Sequence, residues 1–144
     1  MAYELKFKKT GPDAVLPTKA TEGSAGLDLY STEEAVIMPH TSVHVHSELA
    51  VAIPDGYFGA IFPRSGLASI KGIRLANSVG VIDSDYRGAM LLPLYNDSDK
   101  MYRVHKGDRV AQLVIIPCLS CEPVEVGELD ETDRGSKGLG SSGK

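Results

Sequence analysis

Apolar and polar residues alternate with a period of two over much of the chain, and glycine or proline cuts the alternation every few residues. Residues 3–8 set Leu5 and Phe7 against Glu4, Lys6 and Lys8, the pattern of an edge strand. Residues 35–38 read as a strand stopped by Pro39, and residues 43–53 as a longer one stopped by the turn Pro54-Asp55-Gly56. Residues 57–62 run as a strand into Pro63. Residues 79–82 and 89–95 are apolar runs on either side of a polar tip, which predicts a hairpin. Residues 101–105, 109–116 and 123–126 complete the strands. Only residues 65–70 suggest a helix, with Ser65 placed to cap it and Gly72 to end it. There is no internal repeat.

The pattern changes at Asp130. Residues 133–144 hold four glycines, three serines and almost nothing to bury, so the ordering entropy of this stretch has no burial to offset it. The expected architecture is therefore all-β, a sandwich or jelly-roll-like barrel over residues 1–129 with one short helix, followed by a flexible Gly-rich tail over 130–144. A chain of 144 residues is long enough for one domain with a real core.

A formal net charge of -4 argues against non-specific adhesion to nucleic acid, which needs an excess of Lys and Arg. No apolar run is long enough for a signal peptide or a membrane span, and the expectation is a soluble, cytoplasmic protein. Cys118 and Cys121 form one C-x-x-C. A closed zinc site would need further ligands nearby, and a redox pair would want a helix start where Pro117 and Pro123 stand instead. Both read as ordinary strand-end residues. His44 and His46 share a strand face, but without a third ligand an exposed strand is the better reading.

Five segments are polar or Gly-rich where a plain β core would not need them. They are residues 25–29 with Asp28, 63–68 with Arg64, Ser65 and Gly66, 80–88 with Asp83 and Tyr86, 106–112 with Arg109 and Gln112, and 134–143. The second offers a cation, a hydroxyl and free amides at a helix start, the chemistry of a phosphate site. The fifth offers two cations and successive small-residue amides that can curl around an anion. In the third, an acid lies between an apolar strand and a tyrosine, with no Ser, Cys or His nucleophile adjacent, which points to activation of water. The tail also matches G-x-G-x-x-G and the start of a P-loop, but both need a strand before and a helix after. The chain stops at Lys144, so neither match holds.

In this order and spacing, the five segments resemble the five motifs of the trimeric deoxyuridine triphosphatase (dUTPase) family over residues 25–143. The resemblance implies hydrolysis of dUTP to dUMP and pyrophosphate, which lowers dUTP and supplies dUMP for thymidylate synthesis. It implies Mg2+, held mainly by the phosphates, and a homotrimer in which each site draws on all three subunits. Asp83 matches the general base. Asn77, Val81, Ile82 and Leu91 match residues that hold uracil through the backbone, and the side chains of Val81 and Ile82 are expected in the core. Tyr86 matches the residue packed on deoxyribose. Arg64, Ser65, Gly66 and Gln112 match phosphate contacts, while Arg109 is expected in a structural ion pair. Asp28 matches an acid that steers water ligands of the metal.

The tail matches a lid that completes the site, with Arg134 on the γ-phosphate and Leu139 and Gly140 over the base. The family usually has phenylalanine where Leu139 stands, and glycine where Lys137 stands. Leucine covers a base but cannot stack on it, which weakens the lid by roughly 0.5–1.5 kcal/mol. Two other readings differ in chemistry. A deoxycytidine triphosphate deaminase shares the fold but would need a catalytic glutamate near the base. A non-catalytic binding protein would have no use for Asp83, Ser65 and Arg134 together.

Overall fold

The computed structural model describes residues 3–138. The described residues form eleven strands in four sheets. β1 (Lys6–Lys9) pairs antiparallel with β5 (Leu49–Ala52), and β3 (Ala35–Ile37) with β10 (Tyr102–Val104). The largest sheet has the order β2 (Leu27–Tyr30), β11 (Arg109–Pro117), β6 (Tyr57–Pro63) and β8 (Gly80–Ile82). The fourth has β4 (Ser42–His46), β9 (Leu91–Asn96) and β7 (Ile73–Leu75), with β9 in the centre. Every strand pairing among the described residues is antiparallel, so one face of each strand can stay polar, as the alternation requires.

The inward positions make one core. Leu29, Ile37, Val45, Leu49, Ile73, Leu75, Leu92, Leu94, Val104 and Leu113 are all buried, and they come from all four sheets. The architecture is a β-sandwich of jelly-roll type. Among the described residues the strands do not close into a continuous barrel ladder. No described helix is long and apolar enough to cross a membrane.

Several expectations need correction. The stretch 43–53 is two strands, not one, because the chain turns a corner at Ser47–Glu48. Glu48 has a φ of 51°, and the Ser47 hydroxyl donates to the Met90 carbonyl at 2.7 Å. The corner passes the chain from β9's sheet to β1's sheet. Residues 123–126 form no strand, and β7 is a strand the pattern did not signal. The helix spans Leu67–Lys71, is preceded by Gly66 and has no side-chain cap, so Ser65 does not cap it. Gly72 does end it, in the left-handed conformation with φ 70°.

The expected hairpin is also absent. β8 pairs with β6 in one sheet, while β9 lies between β4 and β7 in another. The two strands diverge from their shared loop, and this divergence creates the cleft described below.

Asn96 ties the body together. It is fully buried, its amide donates to Ile37 O at 3.0 Å and Lys100 O at 2.8 Å, and its oxygen accepts from the Ser98 amide and hydroxyl. Asn96→Ala should cost about 2 kcal/mol or more in denaturant unfolding, because it removes the buried bond to the Ile37 carbonyl and the acceptor of the Ser98 amide. A loss below about 0.5 kcal/mol would show that the network is expendable.

Candidate active site

Two polar clefts are present, and no residue lines both. The first lies where β6 ends. Asp28 and Gln112 are cross-strand partners on β2 and β11, so their side chains share a face. Strict alternation would put Arg109 on the opposite face, but a β-bulge between Arg109 and Ala111 re-aims it. Arg109 Nη1 donates to Asp28 Oδ2 at 3.2 Å, and Arg64 Nε donates to Asp28 Oδ1 at 3.0 Å. Arg64 Nη1 also donates to the Arg109 carbonyl at 3.2 Å. One buried carboxylate thus braces two guanidiniums, leaving a net positive charge.

Around this unit lie Ser65, Gly66 and Gln112, with Ala20, Ser24, Ala25 and Gly26 opposite. Gln112 is held by donation to Pro63 O at 2.9 Å. A Cβ on Gly26 would meet the end of the Gln112 side chain and push it from this position. The cleft is polar and cationic, suited to an anion with several oxygens. Asp28 is the one carboxylate among its lining residues.

The second cleft lies between the diverging strands β8 and β9. It is lined by His44, Asn77, Gly80, Val81, Ile82, Asp83, Tyr86, Leu91 and Pro93. β8 is an edge strand, so part of its backbone faces away from β6 unpaired. Leu91 is opposite His46, but the His46 carbonyl accepts from Thr32 at 3.0 Å and its amide donates to Glu33 at 2.9 Å. His46 and Leu91 are therefore a non-hydrogen-bonded pair, and the Leu91 N–H and C=O point away from β4. β7 begins its pairing further along, at Leu94, so these groups face the gap.

The loop after β8 is closed by Arg87, which donates to Ser84 O at 2.6 Å and Tyr86 O at 3.0 Å. The Tyr86 hydroxyl donates to Ala89 O at 3.2 Å. Asp83 is exposed, and among the described residues its carboxylate has no hydrogen-bond or ion-pair partner. An unpartnered carboxylate keeps its lone pairs free to accept a proton. A hydrogen bond from His46 holds Glu33 below its ordinary value, and burial pushes Tyr102 up, with Asp108 adding to the effect and Arg64 opposing it.

The structure thus gathers Asp28, Arg64, Ser65, Gly66 and Gln112 in one cleft, and Asn77, Val81, Ile82, Asp83, Tyr86 and Leu91 in the other. Arg109 makes the ion pair expected of it. The Val81 side chain is 62% exposed rather than in the core, while Ile82 is partly buried against it. Arg134 lines neither cleft and donates to Lys137 O at 3.2 Å. Leu139 and Gly140 lie outside the described residues. His44 was missed. Its signal was its position two residues before His46, on the face that borders β9 opposite Pro93.

The two clefts have volumes of about 330 and 380 Å3. A larger cavity, about 730 Å3, is walled mostly by apolar residues such as Leu5, Phe7, Leu16 and Leu113 and lacks this chemistry.

The dUTPase family profile matches residues 13–143. The chain is 46% identical over 141 residues to a deoxyuridine 5'-triphosphate nucleotidohydrolase of Hydrogenobaculum sp., covering 97% of this chain and 98% of that one. It is also 46% identical to a mitochondrial deoxyuridine 5'-triphosphate nucleotidohydrolase of Dictyostelium discoideum, over 96% of this chain and 76% of that one. Among solved structures, a Staphylococcus bacteriophage 80alpha dUTPase with dUpNHpp superposes with a TM-score of 0.91 at 30% identity, covering 99% of this chain and 100% of that one. A dUTPase of phage phi11 of S. aureus, solved with attention to a structural Mg(II) ion, gives 0.83 at 25% identity over 90% of this chain and 100% of that one. Matched over nearly its whole length, the chain belongs to the dUTPase family.

Proposed function

We propose that this chain hydrolyses dUTP to dUMP and pyrophosphate by attack of water on the α-phosphorus, at a site that joins the phosphate cleft of one copy to the base cleft of another. The observation that carries the reading is the free Asp83 carboxylate at a cleft built otherwise of backbone edges and a tyrosine ring. As general base, Asp83 takes a proton from water as the oxygen attacks, an effect worth roughly 10²–10⁴ in rate. The open edge of β8 and the Leu91 amide and carbonyl supply the pattern uracil needs. Cytosine would set its amino group against a backbone donor and lose about 1–3 kcal/mol. Tyr86 packs against deoxyribose and leaves no room for a 2'-hydroxyl.

Arg64, Ser65, Gly66 and Gln112 bind and orient the triphosphate, and Asp28 with Arg109 holds Arg64 in place. The described residues contain no group of three or more side chains able to cage a metal. That fits an ion with a preference for phosphate and water oxygens. Asp28 would hold the water ligands of a Mg2+ ion, which when bound neutralises charge on the phosphates. Residues 130–144 form a lid, with Arg134 on the γ-phosphate and Leu139 and Gly140 over the base. Closure of that lid excludes water. A homotrimer supplies the three contributors, and two separate clefts of different chemistry, with no lining residue in common, support sharing between copies.

Pyrophosphate release from the separate deoxynucleoside triphosphates, with and without magnesium, tests the reading. It predicts turnover of dUTP that depends on magnesium and little on the others. Comparable turnover of dCTP or dTTP, or ammonia release from dCTP, would contradict it. A Cβ at Gly88 would collide with the Tyr86 hydroxyl. Gly88→Ala should therefore displace that ring, and UTP turnover relative to dUTP should rise about tenfold, the effect of ~1.4 kcal/mol. An unchanged ratio would take Tyr86 out of sugar selection.

A further inference from the structure

The chain leaves the large sheet at the end of β11. Cys118 directly follows Pro117, and its amide donates to Gly56 O at 2.8 Å, which pins it to the sheet. Residues 118–126 form no regular element, and Cys121 lies in this exit. Both thiols are free and exposed. Both also donate to one acceptor, the Leu119 carbonyl oxygen, each at 3.7 Å. Two sulfurs gathered on one oxygen lie within twice that distance of each other, on a stretch of backbone that nothing regular holds rigid. Among the described residues there is no set of three or more metal-ligating side chains, so a closed zinc site is not what the pair serves.

We propose that Cys118 and Cys121 form a reversible dithiol–disulfide site, oxidised by small-molecule disulfides, that sets the direction in which the C-terminal arm leaves the sheet. One cysteine thiolate attacks a sulfur of the small disulfide, forming a mixed disulfide and releasing one small thiol. The second cysteine thiolate then attacks the protein sulfur of the mixed disulfide, closing the Cys118–Cys121 bond and releasing the second small thiol. The protein loses two electrons and two protons, and the small disulfide is reduced to two thiols. Cys118 is the anchored partner, so bridging draws Cys121 and the chain after it toward β11. That the arm carrying Arg134 reaches the catalytic site rests on the function proposed above.

The full chain is incubated with oxidised glutathione, and its intact mass is read alongside dUTP turnover. The expected product has lost two hydrogens and carries no adduct, while Cys118→Ser and Cys121→Ser each retain one glutathione. Turnover of the bridged protein should change about twofold or more and return on reduction, with no change in the Cys118→Ser, Cys121→Ser double variant. Two stable adducts or two free thiols in the wild type would overturn the site. A bridge with unchanged turnover would overturn its link to the arm. The mass readout stands whether or not dUTP is the substrate.

Discussion

Asp83→Asn should lower turnover of dUTP by about two to four orders of magnitude, with affinity for a non-hydrolysable uracil analogue held within a few-fold. The substitution keeps shape and removes only the proton acceptor. Because Asp83 has no partner among the described residues, the change breaks no ion pair and should leave stability within ~0.5 kcal/mol. Single-turnover kinetics and calorimetric binding separate the two effects. A variant that binds poorly would assign Asp83 to holding the nucleotide, and one that still turns over would remove it from the chemistry.

Asp28→Asn should be costly in a different way. Its carboxylate is 11% exposed and accepts from Arg64 and Arg109 on separate oxygens. Without its charge, Arg64, 29% exposed, and Arg109, 47% exposed, lose the counter-ion they share. Removing the carboxylate leaves two cations without a partner, and because both reach solvent the expected loss is about 1–2 kcal/mol in denaturant unfolding. Arg64 also loses its brace, so KM for dUTP should rise. Arg109→Ala removes one of the two cations and should be milder in stability, while still raising KM. If Asp28→Asn is as stable as the wild type, the brace is not structural.

The sequence was most informative where chemistry depends on residue type and order. Asp83, Tyr86, Arg64, Ser65 and Gln112 stand out as polar groups that a plain sheet would not need, and they line the two clefts. Strand positions were legible from alternation, as with Phe7 in β1, which packs at an edge rich in lysine. What alternation cannot state is which strand pairs with which. Residues 79–95 have the local signature of a hairpin, yet β6 takes β8 and β4 takes β9. Likewise the corner at Glu48 depends on tertiary partners, because the Glu48 carboxylate accepts from the Asp13 amide 35 residues away. The bulge that turns Arg109 toward Asp28 is invisible to a period-two reading. Residues 123–126 alternate like a strand but have no described partner to pair with.

Mixed assemblies show whether a working site spans two copies of the chain. Asp83→Asn damages only the base cleft and Arg64→Ala only the phosphate cleft, and each variant alone should be nearly inactive. If a site joins clefts from different copies, an equal mixture refolded together brings an intact base cleft to an intact phosphate cleft by chance. Each is intact half the time, so about a quarter of wild-type turnover should return. Mixed assemblies as inactive as either variant alone, with exchange of copies verified by mass, would place both clefts of a working site within one chain and contradict the account.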